Sequence, residues 1–156
     1  MKDQRMKTGF VLPQQFGAIG DGIADDTDAL EQAIAEAMRK KLALKLPKGE
    51  YKITKTLVLD HINVYCEEVK ISFYGLTQNV PAIDMWDHVN IYGKLHIWTI
   101  DNKVGNHGGR CGMGFGEYAS GRGAHHCYVE DLTITGGVPN ANGVLITGDS
   151  SDIRLD

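Results

Sequence analysis

The amino-acid sequence predicts an all-β solenoid with one helix at its front, and three observations carry that prediction. A short segment repeats: Asp60-His-Ile-Asn-Val-Tyr-Cys66 returns as Asp87-His-Val-Asn-Ile-Tyr-Gly93 about one coil later, and self-similarity at such a period marks stacked structural units. The hydrophobic period changes from helical to alternating just past Lys41. Glycine is over-represented, 19 among 156 residues, as a fold with many tight turns requires.

Composition narrows the partners. Charged residues at 23% and hydrophobic residues at 42% describe a globular domain with no compositional case for disorder. The net charge is -4 without a Lys/Arg run, which argues against a nucleic-acid partner. No apolar run is long enough to span a membrane, and Met1–Lys7 lacks the apolar stretch of a secretory signal. The three cysteines, Cys66, Cys111 and Cys127, are an odd count without a close pair. They read as buried or half-buried thiols, not as a disulfide framework.

In chain order, residues 1–15 read as a flexible lead-in. The segment Phe16-Gly-Ala-Ile-Gly-Asp-Gly-Ile-Ala-Asp-Asp-Thr-Asp-Ala-Leu30 then combines three turn-forming glycines, Gly17, Gly20 and Gly22, with short oxygen-bearing side chains at Asp25, Asp26 and Thr27 that can cap a starting helix. The helix is expected over Thr27–Lys41, with Leu30, Ala33, Ile34, Ala37 and Met38 on one face. Acids at its start and Arg39, Lys40 and Lys41 at its end suit its dipole. Alternation follows in Leu42, Leu44 and Leu46, and Pro47-Lys-Gly49 turns the chain into Tyr51-Lys-Ile53. Beyond the Asp60 and Asp87 segments, Glu130-Asp-Leu-Thr-Ile-Thr-Gly136 and Ser151-Asp-Ile-Arg-Leu155 are weaker echoes. Ile62/Val64, Val89/Ile91, Leu132/Ile134 and Ile153/Leu155 are therefore expected to stack inward. A stack of parallel strands leaves an open edge at its first coil, and the amphipathic helix is placed to cover it.

The Phe16–Leu30 segment resembles the N-terminal signature of the pectate-lyase-like parallel β-helix superfamily, D-F-G-A-x-G-D-G-x-x-D-D-T-x-A, with Gln15 in place of the first Asp. Leu46-Pro-Lys-Gly-Glu-Tyr51 is also similar to the pattern that opens that family's first coil. The resemblance implies a right-handed, single-stranded parallel β-helix with an N-terminal amphipathic capping helix, here roughly three to four coils. Residues 16–156 would be the N-terminal part of such a domain, since Asp156 falls inside a coil. The implied function is action on acidic polysaccharide by lyase or glycoside-hydrolase chemistry, with this segment inactive alone. A structural, receptor-binding segment of a phage tail spike, assembled as a homotrimer, is the alternative. Either places the chain outside a cell or on a virion. No cofactor is expected, except calcium if the chemistry is that of a lyase. The family's hydrolase motifs do not occur as a set, and neither does the Asp-Pro-His-Glu signature of its epimerases.

Candidate chemistry concentrates in Asp101–Ala124, a Gly-rich stretch longer than a coil needs, which reads as a surface loop. His107, Arg110, Tyr118 and Arg122, with Trp86 and His126, are the candidate substrate-binding residues: guanidinium forks suit carboxylates and aromatic faces suit sugar rings. Asp84, Asp101 and Glu117 are the candidate catalytic carboxylates, since glycosidic bonds are cleaved by carboxyl pairs. Asp84 and Asp87 flank Met85-Trp86, which reads as a sugar-facing pair, but Asp87 repeats Asp60, so a turn role accounts for it. His61 and His88 also read as turn residues. His107, Cys111, His125, His126 and Cys127 are zinc-ligand types, yet their spacing matches no compact ligand pair, and no metal site is expected.

Overall fold

In the computed structural model, residues 9–74, 80–99, 111–117, 120–136 and 142–156 are described. Thirteen strands and one α-helix follow in order. They are β1 (Phe10–Val11), β2 (Asp21–Asp25), α1 (Thr27–Lys40), β3 (Ala43–Leu46), β4 (Gly49–Ile53), β5 (Leu57–Leu59), β6 (Asn63–Phe73), β7 (Ile83–Met85), β8 (Asn90–Thr99), β9 (Cys111–Phe115), β10 (His125–Val129), β11 (Leu132–Gly136), β12 (Asn142–Ile146) and β13 (Ser151–Leu155). A 3-10 turn, Pro13–Phe16, precedes β2. Phe10 and Val11, within the stretch expected as a lead-in, pair with β3.

Every strand pairing between these elements is parallel. One sheet runs β1-β3-β6-β8-β10-β13, with β2, β4 and β11 extending its second half, and the other runs β12-β9-β7-β5. The chain alternates between them, so each pass lays one strand of the small sheet and one long or split strand of the large sheet. We call each pass a rung. Inward residues line up rung on rung: Leu44, Val64, Ile91 and Val129 in one row, and Tyr51, Ile71, Ile97 and Ile134 in another. Most of them are almost wholly buried, and each large apolar side chain so placed stabilises by about 1.5–3 kcal/mol.

The long strands explain a misread repeat. Leu132 and Ile134 stack on Leu95 and Ile97, not on Val89 and Ile91 as the sequence echo suggested. The rung after Asp87–Tyr92 begins at His125, with Val129 on Ile91. Strand β6 bends between Cys66 and Val69, so one rung carries two alternating segments that look alike in sequence. Leu155 continues the first row on Val129, although it is 41% exposed, while Ile153 pairs with Cys127 instead.

Helix α1 forms where it was expected, with a different ending and a narrower apolar face. Ala29, Leu30, Ala33, Ile34 and Ala37 are buried, while Met38 is 37% exposed. The face meets Leu44, Leu46, Leu57 and Leu59. Lys41 is not in the helix. It takes the left-handed cap position, and Leu42 N donates to Ala37 O at 2.9 Å, the closure that a glycine usually provides. At the start, Asp25 accepts from Thr27 N at 3.0 Å. Asp26 does something else: its buried carboxylate accepts from Ile19 N (2.8 Å) and Gly20 N (3.0 Å), tying the glycine turn to the helix.

Candidate functional site

Strand β7 sends Ile83 and Met85 inward and leaves Asp84 on the outer face. Met85 is fully buried, so the expected sugar-facing pair reduces to Trp86. Asp84 sits beside Val58 of β5 and Gly114 of β9. A Cβ at Gly114 would lie 3.2 Å from Asp84 Oδ1 and 3.1 Å from Pro81 Cγ, so the glycine leaves the space that the carboxyl occupies. Gly112 and Gly114 alternate with the inward Met113 and Phe115. That makes Cys111–Phe115 a core strand and corrects the reading of Asp101–Ala124 as one surface loop: glycine at the alternate positions hid the period.

Asp84 Oδ1 is buried without a hydrogen-bond partner among the described residues, while Oδ2 accepts from Trp86 Nε1 at 3.2 Å. Burial pushes this carboxyl up to about 6, against the opposing Trp86 hydrogen bond, and the nearby negative charge of Glu117 adds to the rise. A carboxylate removed from water without full pairing keeps its proton to higher pH.

Around Asp84 the neighbouring rungs bring charges together. Glu117 N donates to Arg122 O at 2.8 Å, and Ser120 Oγ donates to Glu117 Oε2 at 2.6 Å, closing a short antiparallel turn. The turn places the Arg122 guanidinium 4.1 Å from the centroid of the Trp86 ring, within cation–π range. Arg122 Nη2 also lies 3.4 Å from Asp87 Oδ2 and 3.7 Å from Asp60 Oδ2. Asp87 Oδ1 accepts from His125 N (3.0 Å) and faces His125 Nδ1 at 2.9 Å. That pairing lowers the Asp87 carboxyl below its ordinary range and raises the His125 imidazole. The Cys127 thiol, buried under the same corner, donates to Trp86 O.

Of the residues singled out from sequence, Asp84, Trp86, Glu117 and Arg122 are brought together. His126 stands apart: it faces Asp152 Oδ2 at 2.6 Å and packs against His88, ring centroids 4.8 Å apart. Asp101, His107, Arg110 and Tyr118 lie outside the described residues. Asp60, Asp87, His125 and Gly114 complete the cluster and were not singled out for it. The repeated Asp at 60 and 87 was the available signal, and it was absorbed by a turn role. The bond that Asp60 makes joins rungs: its Oδ1 accepts from Asp87 N at 3.1 Å. His61 and His88 do take the left-handed turn conformation, at φ 48° and 53°. Among the described residues no three ligating side chains converge on a metal position; the side chains of His107 and Cys111 are not among them.

No family model matches the chain. Over 92 residues, 58% of its length, it is 44% identical to a depolymerase specific for capsules K30/K69 from Klebsiella phage K64-1. Over 50 residues, 32% of its length, it is 36% identical to a glucan 1,3-beta-glucosidase from Cochliobolus carbonum. These stretches are 11% and 6% of the relatives' own lengths. Among solved structures, the surface adhesin PfbA of Streptococcus pneumoniae superposes with a TM-score of 0.62 at 14% identity, covering 95% of this chain and 43% of that one. The Dettilon tailspike protein gives 0.51 at 15% identity, covering 93% and 38%. Both are parallel β-helix proteins, and the depolymerase fits the superfamily whose signature the Phe16–Leu30 segment resembles.

Proposed function

We propose that the chain is the N-terminal part of a right-handed, single-stranded parallel β-helix that acts on a polysaccharide, with α1 as its cap and the cluster around Asp84 as its sugar site. The observation that carries the reading is the Asp84 carboxyl, held half-buried against Trp86 with its affinity for a proton raised to about 6. Cleaving a glycosidic bond by hydrolysis needs one carboxyl that still holds a proton near neutral pH and a second that does not. In this assignment Asp84 gives its proton to the glycosidic oxygen as the bond to the anomeric carbon breaks. Water supplies the hydroxyl to that carbon, and Glu117 takes the water's proton. Trp86 and Arg122 hold the sugar ring and any carboxylate it carries. The relatives' names, a capsule depolymerase and a glucosidase, support a carbohydrate substrate. The phage relative supports a place on a virion or outside a cell, where a homotrimer is the proposed assembly; light scattering of the purified protein tests it.

The test is turnover. The full protein carrying this segment is incubated with capsular polysaccharide from Klebsiella K30 and K69 and with β-1,3-glucan, and new reducing ends are counted. Asp84→Asn is expected to lower turnover about 100-fold or more, the usual worth of a general acid, while binding persists. Unchanged turnover removes Asp84 from the chemistry. An unsaturated, ultraviolet-absorbing sugar end among the products would mark a lyase instead, and calcium would then be its cofactor. Binding without any cleavage would leave the receptor-binding alternative. The cap assignment has its own check: Leu30→Asp with Ile34→Asp should give aggregating protein, because the first strands lose their cover.

A further inference from the structure

Beside the C-terminal end of α1 lies a cleft of about 650 Å3 whose lining includes Met38, Asp60, His61, Asn63, His88 and Asn90. We infer that this cleft is a further saccharide subsite that receives neutral, hydroxyl-bearing sugar units of the same chain that occupies the Trp86–Arg122 cluster. The inference rests on the proposed function and extends it.

Three features of the cleft support this. Its polar groups come in matched pairs from successive rungs. The His61 and His88 rings stack with centroids 4.9 Å apart and 21° between their planes, and Asn90 Nδ2 donates to Asn63 Oδ1 at 2.9 Å. Parallel strands lie about 4.8 Å apart, so the same donors and acceptors recur along the stack at a fixed interval. A ligand that can use them all is itself a repeating polymer. Within each pair, bonding capacity is left over among the described residues: Asn63 donates none of its amide hydrogens there, Asn90 accepts at none of its carbonyl oxygen, and the His88 imidazole has no hydrogen-bond partner. Hydroxyl groups, which both donate and accept, match that mixture.

The second feature is continuity. Asp60 belongs to both the cleft and the cluster. Its Oδ1 accepts from Asp87 N and faces His61 Nδ1 at 2.9 Å, while Oδ2 faces Arg122. A saccharide seated at Trp86 and Arg122 therefore passes Asp60 to reach His61 without crossing another element of the large sheet. The third is the balance of charge and apolar surface. The cleft lining carries one carboxylate, Asp60, and one ammonium, Lys41; a surface so balanced selects neither a polyanion nor a polycation. Met38, the helix residue expected in the core, instead lies 37% exposed at the cleft, where its side chain offers an apolar surface for the C–H face of a sugar ring. The left-handed backbone at His61 and His88 is tolerated by histidine better than by most side chains and turns both rings onto the corner.

The experiment uses this chain and size-fractionated oligosaccharides from K30 and K69 capsules and from β-1,3-glucan. The imidazole resonances of its six histidines and the indole N–H of Trp86 are followed by NMR during titration. The expected result is that His61 and His88 shift together with Trp86 for the longer oligomers, whereas disaccharides shift Trp86 alone. The double variant Asn63→Ala/Asn90→Ala should then weaken binding of long oligomers about 10-fold, without change for disaccharides. The wild-type shifts read the cleft even if that variant does not fold. A Trp86 response at every length with His61 and His88 unmoved overturns the subsite and leaves the proposed function standing. No response at Trp86 or at any histidine overturns both.

Discussion

The rung through Leu57–Phe73 and the rung through Ile83–Thr99 are near copies, whereas the strands of the next, Cys111–Phe115, His125–Val129 and Leu132–Gly136, keep the same register with few of the same side chains. All three fill the same inward rows: Ile83 is followed by Met113, Met85 by Phe115, Ile91 by Val129, and Ile97 by Ile134. What differs is the surface. In the first two, each corner Asp accepts the backbone N–H of the rung that follows, Asp60 from Asp87 and Asp87 from His125. The third rung has His125 at that position and continues no Asp ladder. There the outer surface is given over to Glu117 and Arg122, poised over Asp84 and Trp86. Burial demands only apolar volume at alternate positions, while rung-to-rung side-chain bonding demands the same residue again. Repetition in sequence therefore marks where the stack is bonded to itself, and its loss marks where the surface is put to another use.

If the third rung is as well packed as the second, Phe115→Ala should cost about 3–5 kcal/mol and Ile91→Ala about 2–5 kcal/mol by urea unfolding. A loss below about 1 kcal/mol at Phe115 would break the equivalence. Next in size is the corner ladder. Asp87→Ala strips the acceptor from both His125 N and Arg122, and about 1–3 kcal/mol is expected. Asp60→Ala should cost somewhat less, since Arg122 keeps Asp87. Equal and negligible losses would mean that the repeated aspartates do not bond the stack.

A pH effect belongs to Asp84. Its carboxyl titrates at about 6 when folded, against an ordinary 3.8, so between those values the folded state holds more protons than the unfolded one. Stability from this group should fall as pH rises from about 4 to about 6 and stay lower above that. Asp84→Asn should flatten that part of the melting-temperature profile and raise the melting temperature at pH 7. A profile identical to wild type would place the carboxyl in water. The smallest effect is expected at Arg122→Ala, within about 1 kcal/mol because its pairs are partly exposed. Its readout is a change in Trp86 fluorescence as the guanidinium leaves the ring; an unaltered spectrum would deny the stacking.

Helix α1, the glycine turn before it and the paired Asp60 and Asp87 segments were legible in the sequence because each depends on residues close along the chain. Capping oxygens, a 3.6-residue stripe and a repeated string need no knowledge of distant partners. Even there the local signal stopped short: Met38 fits the stripe, yet it lies 37% exposed. Gly112 and Gly114 looked like loop glycine, and only the approach of Pro81, Asp84 and Ile134 shows why a strand needs them. Leu132 and Ile134 alternate as any strand does, and the bend in β6 and β8 decided which row they join. The sequence by itself determined the repeat of the parallel strands, helix α1 and the list of polar side chains available for chemistry. The tertiary structure alone decided that Asp84, Trp86, Glu117 and Arg122 meet while His126 does not. Parallel register fixes which residues of successive rungs are neighbours, and register is set by packing across the whole stack, not by any single stretch of chain.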